Sequence, residues 1–337
     1  MLGLWVMDHD LVFIRRTRGL PKVKNIPPGA CNVPSNVINI DSSGRIFVCL
    51  CEAWLPWSIG HVLDFDSIDD IMNHPTKQAI EDSQKKGEYE YCDTRYCGVE
   101  QNTRKLLSLQ LYIGIDDSCQ LSCPSCRQQP IFEKDFDIKL PWMQKIIAWI
   151  KQHNGSSLID ILIGSHGDPF ASRLYRQFIT ELSLIEAPVR FQLRTNGLLL
   201  TRYLDEIKIL PRLTQLEISI DAASAETYEQ VRQPGKWNTL IENLDYCLQV
   251  RSSIKRFRVQ ANFVIQKANY KEMPAFVELC SKYQMTPSFG VLQDWNTFSH
   301  GDNAVHLAKH PCHKEFVQLA NTPIVKNAIG KKLDQWI

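Results

Sequence analysis

Cys119, Cys123 and Cys126 lie in the run Cys119-Gln120-Leu121-Ser122-Cys123-Pro124-Ser125-Cys126. Spacings of four and three residues on a short, turn-containing segment let these sulfurs wrap around one centre. A closed structural site for zinc or iron–sulfur takes four protein ligands, so three thiolates leave one coordination position free for a small molecule. The spacing alone equally allows a structural zinc knuckle completed by a distant fourth ligand.

A second group of thiols, Cys31, Cys49, Cys51, Cys92 and Cys97, crowds around one expected hairpin and one expected helix. Cys49 and Cys51 would share a face of an extended strand. The group can form a further metal-ligand set, or its members can pack as small buried hydrophobes. The chain has 11 cysteines, an odd number, and in a reducing cytosol that favours ligation over disulfides.

Other polar residues stand where strands should end. Gly164-Ser165-His166-Gly167-Asp168-Pro169 offers glycines for close backbone approach and an acid that can receive an ammonium group, although a plain Gly-Asp-Pro turn has the same composition. Asn196-Gly197 is a good turn pair. Ser219 and Asp221 fall on one side of a strand, with helix capping as the competing role for Asp221 or Ser224. Asn262, Gln266, Gln293 and Asp294 are further pocket residues, and His166 is a lone loop histidine. His306 and the run His310-Pro311-Cys312-His313 cannot all ligate one ion, and a helix start at Pro311 accounts for most of that run. Cys247 and Cys280 sit among apolar residues at helical spacing and belong to a core.

The elements that must position these groups follow from periodicity. After the turn Pro27-Pro28-Gly29, Val37–Ile40 and Arg45–Cys49 read as a hairpin around Asp41-Ser42-Ser43-Gly44. A loop at Ile59–Val62, a short helix at Ser67–Met72 and a polar helix from Pro75 to Lys86 come next. Beyond residue 108, strand-like runs at Leu109–Ile115, Leu158–Ile163, Val189–Leu193, Gln215–Ile220, Arg256–Ile265 and Pro287–Leu292 alternate with helical patterns. Those helices are Pro141–His153, with Pro141 in the first turn, Ser172–Ile185, Arg202–Ile209, Lys236–Val250 and Met273–Tyr283. Such alternation predicts an α/β fold on a parallel sheet, with ligands at the carboxyl ends of the strands. Periodicity permits a barrel-like or an open sheet.

Cys119-x3-Cys123-x2-Cys126 after a first strand resembles the signature of the radical S-adenosylmethionine (SAM) superfamily; Ser125 stands where many members carry an aromatic residue. The resemblance implies a partial (β/α)6 TIM-like barrel and a [4Fe–4S] cluster on Cys119, Cys123 and Cys126, with SAM chelating the fourth iron. It also implies that Gly167 and Asp168 correspond to the family's Gly-Gly-Glu motif, which holds the SAM amino group. Asn196 would lie in a Thr-Asn-Gly turn common in the family, and Ser219 and Asp221 would contact the SAM ribose or carboxylate. The earlier segment, Cys31-x12-Gly44-x4-Cys49 with Trp57-Ser58-Ile59-Gly60 and a closing Cys pair, looks like a twitch or SPASM extension placed ahead of the core. That implies one auxiliary [4Fe–4S] cluster on Cys31, Cys49, Cys92 and Cys97, with Cys51 as competitor. It could accept an electron from a substrate radical, anchor substrate or relay electrons. The division expected is a small Cys-rich hairpin/helix domain at 1–105 and a radical SAM core at 106–337. Some peptide epimerases of this broad family use a Cys as hydrogen-atom donor, a role open to Cys312.

Composition sets the outer limits. With 38 basic and 37 acidic residues, the net charge of +1 carries no signature for nucleic acid or an acidic membrane. No apolar run spans a bilayer, and charge enters the N-terminus too early for a secretory signal, so a cytoplasmic enzyme is expected. Its partners would be a reductant such as ferredoxin or flavodoxin and a peptide or small-molecule substrate. The rivals are a non-catalytic protein with two structural zinc sites and a redox carrier without SAM chemistry.

Overall fold

The computed structural model describes residues 26–50, 55–92, 106–153, 158–203, 212–253, 257–293 and 299–330. Its nine strands form one mostly parallel sheet in the order β3-β2-β1-β4-β5-β6-β7-β8-β9. From β4 to β9 the order follows the chain, with described helices between all successive strands except β6 and β7, in keeping with the expected α/β partial barrel. No helix among the described residues is long and apolar enough to cross a membrane.

The chain divides into two compact units. The first takes the described residues of Met1–Ile115, Leu140–Ile161 and Glu186–Val189. In it, β1 (Val37–Ile40) and β2 (Arg45–Phe47) form an antiparallel hairpin. Asp41 makes the turn, its Oδ1 accepting from the backbone N–H of Ser43 and of Arg45 at 2.9 Å each. The stretch read as a loop pairs with β2 as β3 (Ser58–His61), where Arg45 faces His61. β1 pairs in parallel with β4 (Leu109–Ile113). Helix α1 (Ile68–Met72) is capped by Ser67. Helix α2 (Pro75–Lys86) starts on its proline and ends at Gly87 in the left-handed conformation, φ 78°. Helix α3 (Phe136–Gln152) corrects one expectation. Pro141 lies inside it, because Phe136–Leu140 wind a full turn ahead of the proline. Its Trp149 donates from Nε1 to the Phe65 carbonyl at 3.2 Å. β5 (Ile159–Ile163) is buried along its whole length.

The second unit takes Asp116–Lys139, Leu162–Ile185 and the described residues from Arg190 on. Most of β6 (Val189–Thr195), with β7 (Leu213–Ser219), β8 (Arg258–Ile265) and β9 (Thr286–Val291), pairs there in parallel. On β8, Val259, Ala261, Phe263 and Ile265 are buried while the residues between them are half-buried, the period-two signature of a strand with one apolar face. Phe263 meets Phe276 and Phe289 with ring centroids 4.8 and 5.4 Å apart. The helices are α4 (Arg173–Ser183), capped by Ser172, α5 (Ala225–Val231), capped by Ser224, α6 (Trp237–Ser253) and α7 (Met273–Lys282). Beyond Tyr203, the helix expected at Arg202–Ile209 lies outside the described residues.

The tail folds as α8 (His300–Asn303), α9 (His313–Ala320) and α10 (Pro323–Ile329). Helix α9 starts two residues after Pro311, with Cys312 as its N-cap. Burial pushes the His306 imidazole down to about 4, and the neighbouring His300, His313 and His310 push the same way. The unfolded chain therefore binds the His306 proton more readily than the folded one. Stability is full above the ordinary histidine range and falls as pH drops from about 6.5 toward 4, by roughly 1–2 kcal/mol after discounting for solvent. His306→Gln is expected to flatten this limb when urea midpoints are measured against pH on metal-free protein. An unchanged slope in the variant would refute it.

Candidate metal and cofactor site

The Cys119 loop leaves the end of β4 and is closed on itself before it is decorated. Cys119 and Ile131 exchange two backbone hydrogen bonds of 2.7 and 3.0 Å, an isolated antiparallel bridge that pins both ends. Inside it, the N–H groups of Cys126 and Arg127 donate to the Cys123 carbonyl at 2.8 and 3.0 Å, so the two later thiols sit on one tight turn. Ser122 N–H donates to the Gln233 carbonyl at 2.6 Å and ties the loop's middle to the segment after α5. Asp116, 2% exposed, holds the lead-in by accepting from Ser118 N–H at 2.7 Å and from Ser172 Oγ at 2.6 Å.

The three sulfurs have graded surroundings. Cys123 is buried, Cys119 half-buried and Cys126 exposed. Burial, with Asp168 nearby, pushes the Cys119 thiol up to about 11. Burial also raises Cys123, and the Arg232 guanidinium pulls it partly back. Arg232 Nη1 lies 3.8 Å from Cys123 Sγ, and its Nη2 pairs with Asp221 Oδ2 at 2.7 Å. Asn196 Nδ2 lies 3.8 Å from Cys119 Sγ, and Arg127 Nη1 donates to the Asp117 carbonyl at 2.7 Å.

Among the described residues no three His, Cys, Asp or Glu groups converge so as to hold one metal ion. A single zinc demands such convergence, whereas an iron–sulfur cluster takes each thiolate on a different iron. The donor chemistry, three thiols on one loop, fits an iron–sulfur cluster.

The strand-end residues gather in the same unit. Gly167 has φ 64°, and a Cβ there would come within 2.5 Å of the Asp116 carbonyl oxygen and 2.7 Å of that of Ser118. This turn is thus pressed against the backbone that leads into Cys119. Gly167→Ala is expected to cost about 2–4 kcal/mol, from the left-handed backbone and the clash together. Chemical denaturation measures this, and a wild-type midpoint would contradict the packing described.

Asp168 is 1% exposed and its carboxylate faces inward. It accepts from Phe170 N–H at 3.0 Å, Thr195 Oγ1 at 2.8 Å and Asn196 N–H at 2.7 Å. Asn196 exchanges amide hydrogen bonds with Gln120 at 3.0 and 3.2 Å. Asp221, at φ 61°, accepts from Val264 N–H at 2.7 Å as well as from Arg232. Ser219 is half-buried opposite Asn262 on β8. The Asn262 carbonyl accepts from Ile220 and Asp221, Gln293 donates to the Val291 carbonyl at 3.4 Å, and Asp294 lies outside the described residues. His166 Nδ1 is 3.3 Å from Asp117 Oδ1.

Sequence reasoning did not single out Asp116, Arg127, Arg232, Tyr228 or Ser165. Ser165 Oγ, Tyr228 Oη, Arg232 Nε and Gln266 Nε2 are buried without a hydrogen-bond partner. Burial raises the Tyr228 hydroxyl strongly, and its charged neighbours are Arg232, Cys123, Asp221 and Asp168. The unmet Arg232 and Tyr228 atoms, on residues beside Cys123, fit a site whose polar ligand completes them.

The N-terminal thiols belong to the first unit. Cys31 is half-buried, and Cys49 and Cys92 are each 8% exposed. Cys31 and Cys92 both flank Tyr89, whose hydroxyl donates to the Pro27 carbonyl at 3.0 Å. Burial raises the Cys31 thiol, with a partial offset from a hydrogen bond to the Val33 backbone. Gln84 Nε2 lies 3.6 Å from Cys92 Sγ. Cys51 and Cys97 lie outside the described residues.

Comparison with known proteins finds the Radical SAM superfamily profile over residues 115–280 and the SPASM profile, an iron–sulfur cluster-binding domain, over residues 31–98. The GTP 3',8-cyclase of Staphylococcus carnosus is 28% identical over 165 residues, covering 47% of this chain and 46% of the relative. That of Alkaliphilus oremlandii is 27% identical over 168 residues, covering 50% and 51%. The chain spans about half the length of the curated relatives it matches. Among solved structures, Streptococcus suis SuiB bound to the precursor peptide SuiA aligns with TM-score 0.41 and 15% identity, over 66% of this chain and 55% of that one.

Proposed function

Because the chain belongs to the radical SAM superfamily and carries a SPASM iron–sulfur cluster-binding segment ahead of the core, we propose that it cleaves SAM reductively and uses the product to abstract hydrogen from a peptide or small-molecule substrate. One observation carries this reading: three thiols on a loop pinned by the Cys119–Ile131 bridge, at the start of the stretch that matches the radical SAM profile. A [4Fe–4S] cluster bound there would supply the electron that cleaves SAM to methionine and a 5′-deoxyadenosyl radical.

The chain's own residues bind and orient. Cys119, Cys123 and Cys126 hold the cluster. Gly167, Asp168, Asn196, Ser219 and Asp221 form the SAM-facing surface, where buried Asp168 and Asp221 fix backbone that the cofactor meets. We assign residues 1–105 to an auxiliary [4Fe–4S] cluster on Cys31, Cys49, Cys92 and Cys97, and residues 106–337 to the catalytic core. A reductant such as ferredoxin or flavodoxin delivers the electron, in the cytoplasm, where thiols stay reduced. The name of the cyclase relatives adds a guanine nucleotide to the small molecules worth assaying.

The test is anaerobic purification with iron and sulfide analysis, followed by incubation with SAM and dithionite. Formation of 5′-deoxyadenosine supports the proposal. A colourless zinc protein, or an iron protein that leaves SAM intact, overturns it.

A further inference from the structure

Two of the three sulfurs of the Cys119 loop have a nitrogen donor of their own, and the donors come from two distant parts of the chain. Asn196, at the end of β6, points Nδ2 at Cys119 Sγ from 3.8 Å. Arg232, just after α5, points Nη1 at Cys123 Sγ from 3.8 Å. Arg127, next to Cys126 in the loop, instead donates from Nη1 to the Asp117 carbonyl at 2.7 Å.

These contacts differ in burial and in restraint. Cys123 is 7% exposed, and Arg232 beside it is clamped by Asp221, which is itself held by the Val264 N–H at 2.7 Å. The guanidinium therefore cannot swing away from the sulfur without breaking a buried ion pair. Asn196 is 6% exposed and locked by its amide exchange with Gln120. Cys126 lies open to solvent, where water competes for its sulfur.

We propose that Arg232 is the positioning residue that sets the reduction potential of the iron–sulfur centre on this loop, with Asn196 second and Arg127 least. The inference rests on the functional reading above, that Cys119, Cys123 and Cys126 hold a cluster. Reduction adds one electron to the metal–sulfur core, with no bond made or broken. Donors to the ligand sulfurs stabilise that more negative state and raise the potential. The effect is greatest where a donor faces a sulfur and water is excluded, which sets the order among the three.

The test is a redox titration of reconstituted protein followed by electron paramagnetic resonance, without SAM. The core signal is identified separately as the one that SAM perturbs. Arg232→Gln combined with Asp221→Asn keeps the buried pair neutral. It is expected to lower the reduction equilibrium constant at least about tenfold, or about 59 mV for one electron. Arg232→Lys preserves the charge and guards against misfolding of the double variant, and it is expected to shift the potential in the same direction by less. Arg127→Gln is expected to move it least. A wild-type potential in an Arg232 variant with full iron content overturns the inference, as does an Arg127→Gln shift equal to that of the double variant. Absence of any SAM-sensitive signal in the wild-type protein instead overturns the functional reading beneath it.

Discussion

Cys123→Ser is expected to empty the core site of iron and reduce 5′-deoxyadenosine formation to that of a protein-free control. Two remaining thiols cannot grip the cluster, and a serine hydroxyl at this buried position resists deprotonation far more than a thiol. The fold should survive. Arg232 keeps its 2.7 Å partner Asp221, so no isolated charge is left buried, and the unfolding free energy should change by less than about 1 kcal/mol. Iron bound by the N-terminal thiols should remain. Iron and sulfide per chain after anaerobic reconstitution, read beside product chromatography, separate these effects. A variant that retains full iron and still cleaves SAM would sink the assignment.

Asp168→Ala should act through stability instead. The carboxylate serves Phe170, Thr195 and Asn196, and its loss strands three buried donors. Hydrogen bonds to a charged group at this depth, lost together, are expected to cost about 3–5 kcal/mol. Asp168→Asn retains an acceptor and should cost about half as much. Urea denaturation of the metal-free protein under argon measures both, and an alanine variant as stable as wild type would show that these bonds are weak.

The legible parts of this molecule carry local signals. Val37–Ile40 and Pro75–Lys86 match expectation residue for residue, the strand because Asp-Ser-Ser-Gly closes its hairpin, the helix because proline opens it and glycine ends it. The spacing of Cys119, Cys123 and Cys126 was equally open to inspection. The stretch at Ser58–His61 was not, since a short glycine-containing segment becomes a strand only when β2 is there to pair with it. Pro141 misled because a proline compatible with a first turn says nothing about a turn wound before it. Arg232 escaped notice because its sulfur partner is 109 residues away. Asp168 shows the limit most clearly. Its position at a strand end was visible, but the direction of its oxygens depends on Thr195 and Asn196, which arrive two elements later.

The bridge between Cys119 and Ile131 bears on upkeep. A segment tied at both ends by backbone hydrogen bonds keeps most of its shape without a metal, so on the proposed reading the loss of iron would leave an empty socket on a folded protein. On the proposed reading, such a chain would be refillable in place, and iron lost to oxygen would not cost the polypeptide.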